Sequence, residues 1–137
     1  MKVNGMSKGY SSKPGIQRRK LLNAPLHQRW KRLHARLDRP LREKYGKNSI
    51  RIQKGDTVRM MRGIALINDA ITRHFETKVA EVDLKRGKVY LENVTRKTAK
   101  GKQVWIPVDP SNLIITKLDL SNPRRREKLK LSKEGTE

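Results

Sequence analysis

I-Q-K-G-D-T-V-R-M-M-R-G, residues 52 to 63, is the stretch that decides the fold predicted for this chain. Lys54-Gly55-Asp56 is expected to form a tight turn, because glycine tolerates positive φ and aspartate hydrogen-bonds readily to its own backbone. The residues after the turn alternate, with Val58 and Met60 on one face, which is the pattern of a half-buried strand. Gly63 then supplies a second permissive backbone position. A turn, a short strand and a glycine in this order open many small β-barrels.

Four later segments continue the β pattern. Residues 78–84 and 88–94 flank Lys85-Arg86-Gly87, which predicts a hairpin with two cations at its tip. Residues 104–108 and 113–118 have the composition of two more strands joined by a turn. The sequence therefore predicts a mainly β fold, a small SH3-like five-stranded barrel. Its predicted core consists of Val58, Met60, Val79, Val82, Val89, Leu91, Val94, Ile106, Leu113 and Ile115.

The charge balance is extreme for a chain of 137 residues: 34 lysines and arginines face 13 acids, which gives a net charge of +21. Only 34% of the residues are hydrophobic, so one modest core with extensions is the most that the chain can build. A charge of this size would repel itself without a polyanion partner, which indicates nucleic acid or, less well, an anionic membrane surface. Residues 1–49 hold 14 basic against 2 acidic side chains, residues 50–120 hold 14 against 8, and residues 121–137 hold 6 against 3, so the extensions are more basic than the core.

Nothing in the sequence indicates a secreted or membrane protein. It contains no cysteine, so there is neither a disulfide framework nor a thiolate metal site. The first residues lack the apolar run of a signal peptide, and no stretch approaches the roughly 20 apolar residues of a membrane span. We expect a soluble cytoplasmic protein without a membrane partner.

A basic amphipathic helix is predicted before the barrel. Asn23-Ala24-Pro25 has the residues of a helix start, and Pro40 forces an end near Asp38. The helix can pack on the barrel, lie on a membrane surface, or become ordered only among RNA and neighbouring proteins, which we favour. For Trp30, burial is favoured over stacking on a base. The apolar stripe of this helix consists of Leu26, Trp30, Leu33 and Leu37.

The chain outside the five predicted strands is basic and poor in apolar residues. Residues 1–22 are expected to be disordered when free, and their Arg18-Arg19-Lys20 cluster favours polyanion contact over a merely solvated charge run. Residues 95–102 carry four cations on a connection with little to bury, and the basic tail is expected to hold a helical turn at 125–131. The predicted division is a basic, partly helical N-terminal extension at 1–48, a barrel at 49–120 and a basic C-terminal tail at 121–137.

Several segments together resemble a known family. G-D-T-V-R-M-M-R-G and V-A-E-V-D-L-K-R-G-K-V-Y-L-E-N-V-T-R-K, which begin at Gly55 and Val79, resemble the KOW motif and the strand after it. D-P-S-N-L-I-I-T-K-L-D-L from Asp109, and N-A-P-L-H and L-R-E-K-Y-G upstream, match the same family. Over roughly residues 12 to 126, the chain is similar to the uL24 family of large-subunit ribosomal proteins, in its archaeal and eukaryotic branch.

This resemblance implies a KOW-type barrel in a structural, non-enzymatic constituent of the large ribosomal subunit. It implies binding to large-subunit, 23S-type rRNA near the polypeptide exit tunnel, a role early in subunit assembly, and contacts with neighbouring large-subunit ribosomal proteins. One copy per ribosome is expected, with no cofactor, metal or membrane. The residues expected to bind RNA are Lys13, Arg18, Arg19, Lys20, His27, Arg29, Lys31, Arg32, Arg36, Lys54, Arg59, Arg62, Lys85, Arg86, Arg96, Lys97, Lys100, Lys102, Ser111, Asn112, Arg124, Arg125 and Arg126.

One connection departs from the family pattern. The family continues through a glycine-rich K-G-x-x-G loop, whereas here residues 64–77 follow Gly63 without those glycines, in a connection about seven residues longer. Ile67, Ile71 and Phe75 lie at helical spacing within it. A surface insertion that folds over one end of the barrel is favoured over a new RNA contact.

Two other function classes compete with the ribosomal one. A KOW transcription factor usually carries a separate α/β domain before the KOW, and the first 49 residues are too short and too basic for it. An RNA-directed enzyme would need a catalytic constellation, and no paired-carboxylate motif, phosphate-cradling glycine loop or nucleophile elbow is found. His27 and His34 are not at the i, i+4 spacing of a helical metal pair. Asp56 and Asp83 are explained as carboxylates that cap turns.

Overall fold

Strands form the framework of the computed structural model, which describes residues 11–63 and 76–134. They are β1 (His34–Leu37), β2 (Ser49–Arg51), β3 (Thr57–Met60), β4 (Glu76–Asp83), β5 (Lys88–Leu91), β6 (Thr95–Lys97), β7 (Gln103–Trp105) and β8 (Leu113–Lys117). Six of them form one open sheet in the order β2-β1-β8-β3-β4-β5, and β6 and β7 form a separate hairpin. Pairing is antiparallel throughout this sheet except between β1 and β8, which run parallel.

Helices accompany the sheet, so the fold is mixed α/β. The prediction of a mainly β, five-stranded fold is therefore confirmed only in part. All five predicted strands are present, four of them at shorter bounds and β4 shifted toward the N-terminus, but β1, β2 and β6 lie outside the prediction. The helical segments of the described ranges are α1 (Pro14–Leu22), α2 (Leu26–Arg29), α3 (Arg39–Tyr45) and α4 (Pro123–Glu134), with 3-10 turns at Trp30–Leu33 and Pro110–Asn112.

The tight turns form where glycine and aspartate predict them. Gly55 has a φ of 90° and Gly87 a φ of 67°, which are backbone conformations that residues with a β-carbon rarely adopt. The carboxylate of Asp83 accepts hydrogen bonds from the backbone amides of Lys85 and Arg86, at 2.9 and 3.1 Å. These bonds close the tip of the β4–β5 hairpin, and they confirm Asp83 as a turn cap.

The core lies on one face of the sheet and is larger than predicted. Nine of the ten predicted core residues are buried, and Val82 is the exception because it is only partly covered. The alternation read from the sequence therefore identifies the correct face of β3, β4, β5 and β8. Five further residues complete the cluster, of which three belong to the N-terminal part of the chain; they are Leu33, Ala35, Leu37, Ile52 and Val108.

The prediction of one helix from Pro25 to about Asp38 is wrong. Helix α2 covers only four residues and passes through the 3-10 turn into β1, which pairs with β2 on one side and β8 on the other. Leu33, Ala35 and Leu37 alternate with exposed residues and are each at most 1% exposed. Both edges of β1 thus pair with neighbouring strands, and one of its faces is buried. These contacts stabilise a strand in place of the helix that the spacing of the apolar stripe predicts.

Two segments predicted to be irregular are regular. Pro14–Leu22 forms α1, although none of its residues is buried, so the expectation of disorder is wrong there. Thr95–Lys97 forms β6, which pairs with β7, so the connection between residues 95 and 102 is a hairpin and not an open loop. The remaining predictions for residues 1–10 and for the atypical stretch 64–75 lie outside the described residues.

A buried ion pair ties α4 to the turn that precedes β3. Asp56 is 0% exposed and Arg125 is 4% exposed. Arg125 Nη1 lies 2.5 Å from Asp56 Oδ1, and Nη2 lies 2.8 Å from Oδ2. The carboxylate also accepts the amides of Gln53 at 2.9 Å and Asp119 at 2.8 Å. Nη1 and Nη2 donate further to the carbonyl oxygens of Asp119 and Arg51, so both charges are held by several hydrogen bonds.

This pair corrects two predictions. Asp56 does more than cap its turn, and Arg125 is not available to RNA because its guanidinium points into the protein. The predicted helical turn of the tail is confirmed and is part of the longer α4. Leu129 of α4 is also buried, at 2% exposure, so the start of the tail packs on the fold.

Replacing Arg125 by methionine is expected to lower the free energy of unfolding by about 3–5 kcal/mol, because Asp56 keeps a buried charge without its partner. Urea unfolding followed by circular dichroism measures the difference. Arg124→Met is the matched control, because Arg124 is exposed on the same helix, and it should change stability by less than about 0.5 kcal/mol. Equal effects of the two variants would contradict the structural role of Arg125.

Candidate nucleic-acid interface

Arg29 joins the N-terminal helices to the tip of the β4–β5 hairpin. Its Nε donates to the carbonyl oxygen of Ala24 at 2.7 Å, and its Nη2 donates to that of Leu22 at 2.6 Å. Its Nη1 donates to the carbonyl oxygen of Lys85 at 3.1 Å, which connects positions 56 residues apart. A guanidinium presents its donors in a fixed fork, and here three nitrogens are used within the protein. Arg29 therefore positions its neighbours more than it presents its own charge.

Arg32 lies against the hairpin tip that Arg29 holds. A β-carbon built on Gly87 would come 3.5 Å from Arg32 Cζ, so the guanidinium packs on the glycine backbone. Lys85 and Arg86 are exposed at the same tip. Arg86 Nε lies 3.9 Å from Oδ2 of the half-buried Asp83, and a long contact with an exposed arginine neutralises little charge. We call Arg32, Lys85 and Arg86 the tip cluster.

A second group of cations lies on the solvent face of the sheet. Arg36 of β1 and Arg59 of β3 are both register partners of Ile114 in β8, so the three residues form one row across the sheet. Arg36 is exposed, whereas Arg59 is half-buried and its Nη2 lies 3.5 Å from Asp38 Oδ1. Arg36 therefore offers the more available charge of this row.

Trp30 does not have the buried position predicted for it. It is 44% exposed, and Arg51 Cζ lies 4.5 Å from its ring centroid in a cation–π contact.

Arg51 is also the register partner of His34. His34 is exposed overall, but its imidazole is partly covered by the protein, and this partial desolvation lowers its pKa below the ordinary value; the charge of Arg51 lowers this pKa further. His34 is thus neutral near pH 7 and adds no positive charge to this face.

The backbone brings Arg62 beside the Ser111-Asn112 pair. The carbonyl oxygen of Asn112 accepts a hydrogen bond from the amide of Met61 at 2.8 Å. A β-carbon built on Gly63 would lie 3.9 Å from Asn112 Nδ2. Arg62 and Ser111 are exposed there, and Asn112 is half-buried. Candidates taken from two separate sequence segments are therefore neighbours in the fold.

The predicted RNA-binding residues are mostly exposed but do not converge on one pocket. Of these 23 residues, 18 are exposed, 4 are half-buried and only Arg125 is buried. They are distributed over the N-terminal helices, the hairpin tip, the sheet face, the β6–β7 hairpin and α4. The exposed set is Lys13, Arg18, Arg19, Lys20, His27, Lys31, Arg36, Lys54, Arg62, Lys85, Arg86, Arg96, Lys97, Lys100, Lys102, Ser111, Arg124 and Arg126.

The sequence prediction overlooks an aromatic cleft beside the tip cluster. Leu26, Tyr90 and Trp105 are among the residues that line it. A signal for it exists in the sequence, since Trp105 follows a run of four cations between residues 95 and 102. Aromatic residues next to cations are typical of surfaces that bind single-stranded nucleic acid.

The described residues offer no metal centre. No group of three or more His, Cys, Asp or Glu side chains in residues 11–63 and 76–134 could hold a metal ion. His27 lies on α2 and His34 on β1, so the two histidines do not share a helix. Over the same described ranges, every helix is too short or too polar to cross a bilayer.

The matching family model and the individual relatives all indicate the same protein family. The family model that describes the ribosomal proteins L26 of eukaryotes and their archaeal counterparts matches residues 11–132. The chain is 46% identical over 123 residues to the large ribosomal subunit protein uL24 of Saccharolobus solfataricus, covering 90% of this chain and 98% of that protein. It is 43% identical over 127 residues to the protein of the same name from Sulfurisphaera tokodaii, covering 93% of this chain and 89% of that one. For Korarchaeum cryptofilum the identity is 42% over 119 residues, covering 87% and 86%.

The titration of His34 in the folded protein is expected to have a midpoint below the ordinary histidine value of 6.5, because partial desolvation and Arg51 both disfavour its charged form. Arg51→Gln should raise the midpoint but leave it below 6.5, since partial desolvation is the larger cause. The NMR shift of the imidazole Cε1 proton measures it, and His34→Gln assigns the signal.

The lowered pKa of His34 also determines how the stability of the protein changes with pH. The unfolded chain takes up this proton first as the pH falls through 6.5, so His34 lowers the free energy of unfolding below that pH. A midpoint at or above 6.5 in the folded protein would contradict the geometry described for His34.

Proposed function

The chain belongs to the family of eukaryotic L26 ribosomal proteins and their archaeal counterparts, and we propose that it works as a structural, rRNA-binding constituent of the large ribosomal subunit. The observation that carries this proposal is the family match over residues 11–132, which covers nearly all of the described chain. The exposed cations support it, because a polyanion partner is what a net charge of +21 requires. Family membership also decides against the two competing classes, a transcription factor and an RNA-directed enzyme.

The family further favours a KOW-type, SH3-like barrel as the centre of the fold. Strands β8, β3, β4 and β5 are neighbours in this order within the sheet. Beyond β5, a single bridge pairs Val89 with Val108, and the amide of Ile106 donates to the carbonyl oxygen of Val94 at 3.1 Å. These bonds extend the sheet toward the segment that leads back into β8, which supports the barrel interpretation.

The proposed mechanism of RNA binding is electrostatic. Exposed lysines and arginines neutralise phosphates and release their counterions, which contributes affinity without reading sequence. The exposed set defined above would supply most of these contacts, with Arg32, Arg59 and Asn112 at their margins. Arg29 and Arg125 act within the protein instead, since their guanidinium donors are occupied by carbonyl and carboxylate oxygens.

The proposed role in the subunit is geometric. Cations on separate elements of one folded body can contact several RNA segments and fix their relative positions, because RNA helices are recognised mainly by shape and backbone. Binding to 23S-type rRNA near the polypeptide exit tunnel, early action in assembly, neighbouring large-subunit proteins and one copy per ribosome belong to this proposal. We expect the protein in cytoplasmic ribosomes.

The division into an extension at 1–48, a barrel at 49–120 and a tail at 121–137 stays a prediction. Two contacts favour different boundaries. Strand β1 lies inside the sheet between β2 and β8, and Leu129 of α4 is buried. We therefore propose one structural unit from about residue 33 to residue 129, with α1 and α2 as the extension that Arg29 attaches to it.

A tagged copy of the protein in its own cells is expected to sediment with the large subunit through a sucrose gradient. Co-migration should persist in high salt, because many contacts are made at once within the assembled particle. Migration with RNA polymerase, or release to the top fractions at moderate salt, would argue for one of the competing classes.

Binding of the isolated protein to rRNA fragments is expected to weaken steeply as salt rises. Fragments recovered with the protein after nuclease trimming of the subunit serve as ligands in a filter-binding assay. Arg36→Gln should reduce the slope of log affinity against log salt by roughly one phosphate contact, about 0.7–0.9. Arg39→Gln is the matched control, because exposed Arg39 lies outside the predicted contacts and pairs with Glu43 at 3.2 Å. A flat salt response would refute the electrostatic mechanism.

A further inference from the structure

The aromatic cleft carries apolar surface that the fold leaves exposed. Trp105 is 45% exposed, Val104 is 46% exposed and Leu26 is 50% exposed. The ring centroids of Trp105 and Tyr90 are 6.1 Å apart at an angle of 37°, so the two rings form one broad tilted surface. Pro107 adds to the same lining. Side chains that contributed only to the core would be covered, as Val89 and Leu91 are on β5.

Charged side chains of both signs surround this apolar surface. Lys85 and Arg86 of the tip cluster and Arg96 of β6 line the cleft, together with Glu81 and Asp83. Asp83 is occupied by the two turn amides that it caps. The cleft thus combines an apolar wall that includes the exposed ring of Trp105, three cations that suit phosphate, and one carboxylate, Glu81, that suits a hydrogen-bond donor.

We propose that this cleft binds one unpaired nucleotide of an RNA strand, with its base against Trp105 and its flanking phosphates at Lys85, Arg86 and Arg96. This inference rests on the proposed function and adds to it a contact that is made with a base and not only with the backbone. A base within a duplex has both faces covered by its neighbours, so only an unpaired base can lie on the tryptophan.

The lining favours RNA over a protein segment. An acidic peptide would match the three cations but would bring its own carboxylates against that of Glu81. A nucleotide separates its charge from its flat ring, so its phosphates can approach the cations while its base lies on the apolar wall. The amino or imino groups of a base are donors that the Glu81 carboxylate can accept.

Trp30 provides an internal comparison, because it is exposed to the same degree but lies elsewhere. One face of its ring is occupied by the guanidinium of Arg51, at 4.5 Å, and Trp30 is not among the residues that line the cleft. Substitution of Trp30 therefore removes an exposed tryptophan that does not line the aromatic cleft.

The test compares Trp105→Ala with the full-length protein on two ligands of equal length and charge. One is a short single-stranded RNA, and the other is the same backbone without bases. Trp105→Ala is expected to weaken binding of the RNA about ten-fold, within the range measured for base–aromatic stacking, and to leave binding of the abasic strand unchanged. Trp105→Phe should retain most of the affinity, and Trp30→Ala should bind both ligands like the parent protein.

A spectroscopic readout accompanies the binding assay. In a Trp30→Phe background, Trp105 is the tryptophan that emits, since the chain contains two. Its emission should be quenched by the single-stranded RNA, and neither by the abasic strand nor by a duplex of equal length. The Trp105→Ala and Trp105→Phe variants are first checked for an unchanged unfolding transition.

The outcomes separate this inference from the proposed function. If RNA binds with the expected salt dependence but Trp105→Ala weakens both ligands equally, or neither, the base site is overturned while the proposed function stands. If Trp105→Phe loses as much RNA affinity as Trp105→Ala, the base site is likewise overturned, in favour of a structural role of Trp105 or a protein partner. If no RNA binds at any salt concentration, the proposed function itself fails.

Discussion

The ion pair between Asp56 and Arg125 is the interaction on which the rest of the structure depends. Moving two charges out of water costs several kcal/mol per ion, and a buried pair is stable only when other hydrogen bonds accompany it. Here the carboxylate accepts two backbone amides, and the guanidinium reaches two backbone carbonyls. The donors and acceptors belong to the end of β2, the turn between β2 and β3, the segment after β8, and α4. One buried contact therefore fixes the relative positions of elements that are far apart in sequence.

The arginines divide into those that hold the fold and those that face solvent. Arg125 and Arg29 use their planar forks on oxygen atoms of the protein, a geometry that a lysine cannot reproduce. Arg124 and Arg126 flank Arg125 on α4 and are exposed because Arg125 faces inward. Similarly, Arg29 holds the hairpin tip next to the N-terminal helices and so positions Arg32 and Lys85. The structural arginines thus determine which cations lie close together on the surface.

The sequence predicts those parts of the fold that depend on local chemistry. The Gly55 turn, the alternation in β3 and the β4–β5 hairpin follow from residues that are neighbours in the chain, and all three are found. Strand β1 could not be predicted, because Leu33 and Leu37 fit both a helical spacing and, with Ala35, a strand alternation. Only its partners β2 and β8, far away in sequence, decide between the two. Arg125 could not be separated from Arg124 and Arg126 either, since its partner lies 69 residues earlier.

The same argument explains how much of the candidate site was predictable. Composition identifies the ligand class, because a charge of +21 requires a polyanion, but it does not distinguish one cation from the next. The fold makes that distinction by placing exposed cations on several elements instead of around one pocket. Catalysis needs groups that converge on a single reacting atom. A protein that organises RNA needs the opposite arrangement, with charges held apart at fixed distances, so the dispersion of these cations is itself an argument for a structural role.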